Sequence, residues 1–321
     1  MVIIMKLAPV NKIIPFSNVD GPGNRTAVFF QGCTFDCKFC HNPETINMCI
    51  GCSECVSKCP AGALSCQSVE SARAAADERS ADSSTDSCKS PGADAGMLSN
   101  RRGSIIWDST KCVQCDTCIR VCQSNASPRI RYMSVPDLIA EIRRTAPYIQ
   151  GITVSGGECT LQNDFLIDLF SAVRALQDSP RLTCLLDSNG SFDFEADPRI
   201  LEVSEGVMLD VKAVGKEWSR RLIGDPGDLV LKNLDYLLKA EKLQEVRTVI
   251  IPGRDTENEE TVRYTASKIG NACDYRIIRY RTFGVRENFQ KELGEDETPE
   301  EYAMKFVELA KQYGAGRAYL V

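Results

Sequence analysis

Gly32-Cys33-Thr34-Phe35-Asp36-Cys37-Lys38-Phe39-Cys40-His41-Asn42-Pro43 carries three thiols at the spacing Cys-x3-Cys-x2-Cys. Thiolates are soft ligands that suit zinc and iron–sulfur clusters. A closed cubane cluster takes one cysteine per iron, so three local cysteines hold three corners and leave one iron open. An open metal position is where a substrate can bind directly, as in catalytic zinc sites. Spacing alone also admits a structural zinc ion that draws a fourth ligand from elsewhere.

Before the loop, Thr26-Ala27-Val28-Phe29-Phe30 is apolar and β-favouring and ends at Gln31-Gly32. It predicts a strand that delivers the cysteine loop at its C-terminal end. Further upstream stands Asn18-Val19-Asp20-Gly21-Pro22-Gly23-Asn24-Arg25-Thr26, and the loop runs out through Cys40-His41-Asn42-Pro43. The cysteine spacing, the aromatic Phe39 before the third cysteine and these flanks together resemble the radical S-adenosylmethionine (SAM) enzymes. Within them the resemblance is to the activating enzymes of glycyl radical enzymes.

That resemblance implies a [4Fe-4S] cluster on Cys33, Cys37 and Cys40, with Phe39, Cys40 and His41 on the SAM side of the loop. The open iron would chelate the amino and carboxylate groups of SAM. An electron from the cluster would cleave the sulfonium and yield a 5′-deoxyadenosyl radical, which takes hydrogen from a glycine of the partner enzyme. His41, the lone histidine, reads as a polar contact beside the cluster, with a general base as the alternative.

A second cysteine system follows. Cys49-x2-Cys52-x2-Cys55-x3-Cys59-Pro60 is the full bacterial ferredoxin run, and Cys112-x2-Cys115-x2-Cys118-x3-Cys122 repeats its spacing without the proline. In two-cluster ferredoxins the fourth cysteine of each run ligates the other cluster. The expected sets are therefore Cys49, Cys52, Cys55 and Cys122, and Cys112, Cys115, Cys118 and Cys59. Two zinc knuckles are the alternative. The combination of this insertion with the activase motifs resembles the subset labelled YjjW-type.

Ser65 to Ser104 lies between the runs, rich in Ser, Ala, Asp and Gly and nearly free of large apolar residues. Such composition buries too little surface to order itself, and added loop length costs little. The expected organisation is a radical SAM core over 16–321, interrupted by ferredoxin-type repeats at 40–69 and 103–132, with a disordered linker at 70–102.

The 321 residues allow one large and one small domain, and 43% hydrophobic residues suffice for a core. Net charge of −6 argues against a nucleic-acid partner. No long apolar run predicts a membrane span. The start, Met1-Val2-Ile3-Ile4-Met5-Lys6-Leu7, lacks signal-peptide features, so a cytoplasmic protein is expected. Of 16 cysteines, those outside the three motifs (Cys66, Cys88, Cys159, Cys184 and Cys273) read as ordinary thiols.

From Val135 onward, helical and strand patterns alternate. Helices are predicted over 135–145, 161–176, 229–239, 259–269 and 299–313. Strands are predicted over 151–155, 182–186, 206–211, 245–251 and 275–280, with an edge strand at 318–321. Ser134 and Pro136 mark a helix start. Repeated βα units mean a parallel sheet, doubly wound or closing as a barrel. The resemblance implies a partial (β/α)6 barrel.

In such barrels reactive groups gather at the C-terminal strand ends. Ser155-Gly156-Gly157-Glu158, Asp187-Ser188-Asn189-Gly190 and Met208-Leu209-Asp210-Val211-Lys212 all end predicted strands. Paired glycines permit close backbone approach to a ligand. The resemblance implies that Gly156, Gly157 and Glu158 meet the SAM amino group, that Ser188 and Asn189 face the cofactor, and that Lys212 meets SAM or substrate. It also implies a potassium or sodium ion held by Asp187, Ser188, Met208 and Asp210 beside the SAM carboxylate. Oxygen donors suit such a hard cation. Arg247 stands at a family position for substrate or carboxylate contact. Arg281 replaces a family histidine near the SAM ribose. A glycyl radical enzyme as partner and a flavodoxin or ferredoxin as electron donor complete what is implied. Two readings compete: radical SAM chemistry on a small molecule or peptide, and a ferredoxin-type electron carrier without SAM turnover.

Overall fold

A computed structural model describes residues 6–67, 104–176 and 181–321. The linker expected at 70–102 lies outside the described residues. The chain divides into two compact units, Met1–Ile46 with Arg131–Val321, and Asn47–Ile130.

The strands in chain order are β1 (Leu7–Ser17), β2 (Arg25–Phe30), β3 (Leu64–Gln67), β4 (Ser104–Trp107), β5 (Arg131–Ser134) and β6 (Gly151–Gly156). There follow β7 (Thr183–Ser188), β8 (Gly206–Asp210), β9 (Leu243–Ile250), β10 (Asp274–Arg279) and β11 (Ala318–Leu320). The larger unit is built on one nine-stranded sheet, ordered β11-β10-β9-β8-β7-β6-β2-β1-β5. From β2 through β6, β7, β8 and β9 to β10, neighbours are parallel and follow chain order. These six strands are the partial (β/α)6 barrel. β11 extends it in parallel, and β1 joins antiparallel to both β2 and β5.

Side chains of a strand alternate between two faces, and here the faces differ in chemistry. Ile152, Val154, Cys184, Leu186, Val207, Leu209, Val246 and Ile277 are fully buried against the helices. Helices Asn163–Arg174, Asp228–Lys239 and Glu300–Gln312 supply Leu166, Phe170, Leu234, Leu237 and Phe306 to the same core. The alternate positions Thr153, Ser155, Asp187, Met208, Asp210, Glu245 and Arg247 stand on the other face. That polar face carries the candidate site.

β1 was not expected. Pro9 and Pro15 break its alternation, and proline within a run argues against a strand. The structure accommodates them with irregular register between Val10 and Lys12 and between Ile14 and Ser17. Helices Lys216–Ile223 and Glu287–Leu293 also escaped the periodicity, being short and charged. The helix Val135–Thr145 begins as read: Ser134 caps it, exchanging hydrogen bonds with Asp137, with Pro136 in the first turn. Ser65 to Gln67, taken as the start of the insertion, instead form β3.

The smaller unit pairs β3 antiparallel with β4. Helices Glu54–Lys58 and Thr117–Arg120 follow left-handed residues, Ser53 at φ 64° and Asp116 at φ 56°. The two repeats make matching bonds: Ala63 N donates to Cys59 Sγ at 3.3 Å and Ala126 N to Cys122 Sγ at 3.4 Å.

Candidate active site

The loop after β2 is held from several directions. Gly32 N and Cys33 N donate to Thr45 O and Ile46 O, closing the loop's two ends. Asp36 N and Lys38 N donate to Ile223 O and Leu222 O. Arg286 Nη2 bonds Asp36 Oδ1 at 2.5 Å and Cys37 O at 3.2 Å, while its guanidinium lies over Phe289. Arg286 was missed by sequence reading, because no local motif marks an arginine that far along the chain as a brace for the loop.

Cys37 is buried and Cys33 and Cys40 are half-buried. Burial pushes the Cys33 thiol up to about 11 and the Cys37 thiol to about 12, with Lys212 pulling the other way. Burial likewise raises Cys40. Asn189 Nδ2 donates to Cys33 Sγ at 3.5 Å. Lys212 Nζ lies 5.4 Å from the Phe39 ring centroid and 2.6 Å from Asp210 Oδ2. Burial opposes the ammonium charge, but Asp210 and the neighbouring thiols outweigh it and raise the Lys212 pKa. The structure thus brings Cys33, Cys37, Cys40, Phe39, Asn189, Asp210 and Lys212 together.

His41 Nε2 is 3.2 Å from Arg281 O, and burial lowers its pKa, which keeps the ring neutral at pH 7. The exposed Arg281 therefore meets His41 through its backbone. Gly284 lies so close that a Cβ there would come within 2.2 Å of His41 O.

The glycine pair is pressed against the backbone of β2 and the cysteine loop. A Cβ on Gly156 would meet Phe30 O at 2.2 Å, and one on Gly157 would meet Gly32 O at 2.1 Å. Gly157 N and Glu158 N donate to Phe30 O and Gly32 O. The close approach is therefore to the backbone that carries the cysteine loop. Glu158 is tied to its neighbours by its side chain. It is 1% exposed, and its carboxylate accepts from Thr160 N, Thr160 Oγ1, Ser188 Oγ and Asn189 N. Burial raises its pKa against these donors. Its side chain ties the end of β6 to the end of β7.

Of the four residues expected around a cation, Asp187, Met208 and Asp210 stand on one face of the sheet around Arg247. Ser188 points its hydroxyl to Glu158, across the sheet from Asp187. Asp187 Oδ1 accepts from Arg247 Nη1 at 3.1 Å, and Oδ2 from Ser155 Oγ at 2.9 Å. Met208 Sδ lies 3.4 Å from Arg247 Nη2, and Arg247 Nε donates to Glu245 Oε1 at 2.6 Å. Arg247 sits inside β9, opposite Asp210. Burial opposes its charge, but Asp187, Glu245 and Asp210 raise its pKa. Burial pushes the Asp187 carboxyl up against the pull of Arg247.

Deeper in the same unit lies Arg25, 1% exposed. Its guanidinium donates to Thr153 Oγ1, Ile152 O, Thr183 Oγ1 and Pro22 O. Burial lowers its pKa to about 10. It fastens the Asp20-Gly21-Pro22-Gly23 turn to β6 and β7.

In the smaller unit two cavities stand out. One is lined by Cys59, Cys112, Cys115 and Cys118 with Trp107 and Arg129. The other is lined by Cys49, Cys52, Cys55 and Cys122 with Ile50 and Ile105. Each cavity takes three cysteines from one run and the fourth from the other. Among the described residues no three His, Cys, Asp or Glu side chains group to hold a single metal ion; the cysteines surround cavities instead.

The sequence model of the radical SAM superfamily matches residues 109–269, half of the chain, and the 4Fe-4S dicluster domain matches residues 48–127. The chain is 30% identical to the indoleacetate decarboxylase activating enzyme of Tractidigestivibacter scatoligenes, over 88% of this chain and 85% of that one. This chain belongs to the radical SAM superfamily, in its branch of glycyl-radical-enzyme activating enzymes. Other members of the branch show the same reach. The benzylsuccinate synthase activating enzyme of Thauera aromatica is 26% identical over 97% of this chain and 92% of its own. The pyruvate formate-lyase-activating enzyme of Streptococcus mutans is 26% identical over 86% and 78%. The radical SAM match begins after the Cys33 loop, so the loop's membership rests on its own motif, on β2 beside β6, and on the full-length relatives.

Proposed function

We propose that the chain activates a glycyl radical enzyme, by reductive cleavage of SAM to a 5′-deoxyadenosyl radical that takes hydrogen from a backbone glycine of that partner. The observation that carries this reading is the convergence of three thiols, Lys212 and Asn189 at the C-terminal end of β2, in a chain whose full-length relatives are named activating enzymes.

Cys33, Cys37 and Cys40 would hold the catalytic [4Fe-4S] cluster. The donor set fits: three thiols on one braced loop, with the Asn189 amide directed at a sulfur and the Lys212 ammonium beside them. Hydrogen bonds to cluster sulfurs and local charge are the levers by which a protein sets cluster potential. When bound, the cluster supplies the single electron that SAM cleavage needs. Lys212, anchored by Asp210 and Phe39, keeps a positive charge where thiolates and an anionic substrate group would gather. Arg286 and Gly284 hold the loop in place, and the neutral His41 locks it to the segment at Arg281.

Two further [4Fe-4S] clusters would occupy the four-cysteine cavities, three per chain in all. The crossed grouping of cysteines supports that assignment. Their full ligation leaves no open iron, so electron entry from a flavodoxin or ferredoxin is the role they suit.

The test is anaerobic reconstitution followed by reduction and addition of SAM, with 5′-deoxyadenosine measured by chromatography. Wild type should contain about 12 iron atoms per chain and form 5′-deoxyadenosine. Cys37→Ala should lose about one third of the iron and all product. A reconstituted protein that forms none, with iron in place, would contradict the reading.

A further inference from the structure

The donors expected for an alkali cation already have other partners. Asp187 and Met208 both contact the Arg247 guanidinium, at 3.1 and 3.4 Å. Asp210 gives Oδ2 to Lys212 at 2.6 Å. Ser188 spends its hydroxyl on Glu158 at 3.0 Å, on the opposite face of the sheet. Each of the two aspartates thus has its own fixed cationic partner, and both pairs are largely buried, with side chains 14 to 26% exposed. An alkali ion placed among them would stand against a guanidinium that cannot lose its charge. The thioether of Met208 is a weak acceptor suited to an N–H and a poor ligand for a hard cation.

We propose that Arg247 fills this position in place of a monovalent cation, so that the positive charge offered to the SAM carboxylate is a fixed guanidinium and SAM binding is independent of potassium or sodium. This rests on the reading of the chain as a SAM-cleaving enzyme. The geometry suits the role. Arginine carries five N–H groups in a rigid fork. Nε, Nη1 and Nη2 each direct one to Glu245, Asp187 and Met208. The terminal nitrogens each keep a second N–H, and such a pair matches a carboxylate. The strand register enforces the placement: Met208 pairs with both Asp187 and Glu245, and Asp210 pairs with Arg247. Arg247 reaches back across β8 to Asp187 on β7, over the Met208 side chain between them.

The experiment measures SAM affinity of the reconstituted protein by equilibrium dialysis, at constant ionic strength. Tetramethylammonium, too large for such a site, is the only monovalent cation in one arm; potassium or sodium is present in the others. Retention of radioactive rubidium by the SAM-bound protein is measured in parallel. Wild type should show the same SAM Kd within about twofold in all salts, and no stoichiometric rubidium. Arg247→Ala should bind SAM about 10- to 100-fold more weakly in tetramethylammonium, the worth of one charged hydrogen bond. It should regain part of that affinity with potassium or sodium, because Asp187 and the Met208 side chain then lose their guanidinium partner. A wild type that loses tenfold or more in SAM affinity without potassium or sodium, or that retains one rubidium per chain, overturns the proposal. Should Arg247→Ala fail to reconstitute, the wild-type measurements still decide. Absence of SAM binding in every salt is a different result: it overturns the SAM reading itself, and the inference with it.

Discussion

Gly157 and Glu158 are adjacent, and both act on the cysteine loop through the protein. Gly157 has no room for a methyl group, since its Cβ would meet Gly32 O at 2.1 Å and Thr45 O at 2.8 Å. Neither contact is a flexible side chain, so Gly157→Ala must displace the backbone that carries Cys33. The expected outcome is loss of about 4 of ~12 iron atoms after reconstitution, with the ferredoxin-type clusters kept; an unchanged iron count would contradict it. Glu158→Ala strips partners from Thr160 N, Ser188 Oγ and Asn189 N in a buried site. Each unsatisfied buried donor costs about 1–3 kcal/mol, so thermal unfolding should fall by several degrees with SAM absent. A Glu158 that served only SAM would leave that midpoint unmoved. The Gly-Gly-Glu motif was legible in the sequence, and so was its position after a strand. What it touches was not, because the contact joins residues over a hundred positions apart through backbone approach. Arg286 and Arg25 were hidden for the same reason: a buried or bracing arginine looks like any other charge in a sequence.

At the scale of elements, the repeats of the smaller unit show what spacing conveys. Equal spacing predicts equal local structure, and the two Sγ-to-backbone bonds at Ala63 and Ala126 repeat it. The crossing of fourth cysteines makes a specific prediction. Cys59→Ser combined with Cys112→Ser removes two ligands from one cluster and should cost about 4 of ~12 irons. Cys59→Ser combined with Cys49→Ser touches both clusters and should cost about twice that. Run-by-run ligation predicts the reverse, and iron analysis after reconstitution decides. The barrel strands were readable because buried parallel strands are apolar runs bounded by helical patterns. β1 was unreadable because two prolines and register irregularities erase its period of two. The short helices Lys216–Ile223 and Glu287–Leu293 offer too few turns for a pattern.

For the whole molecule the open matter is how electrons reach the catalytic loop. Cys52→Ser with Cys115→Ser removes one ligand from each four-cysteine cavity and leaves the Cys33 loop intact. As a relay, the smaller unit should then be needed when a flavodoxin or ferredoxin donates, and partly dispensable when a small strong reductant is used. Equal loss with both reductants would assign the unit a structural role, since cluster binding also contributes to folding. The most direct test of the central claim is electron paramagnetic resonance of a candidate glycyl radical enzyme mixed anaerobically with the reconstituted, reduced protein and SAM. The account predicts a glycyl radical signal on the partner, one 5′-deoxyadenosine formed for each radical, and neither with Cys33→Ala, Cys37→Ala or Cys40→Ala. Formation of 5′-deoxyadenosine with no glycyl radical on any such partner would contradict it and move the chain to another substrate class.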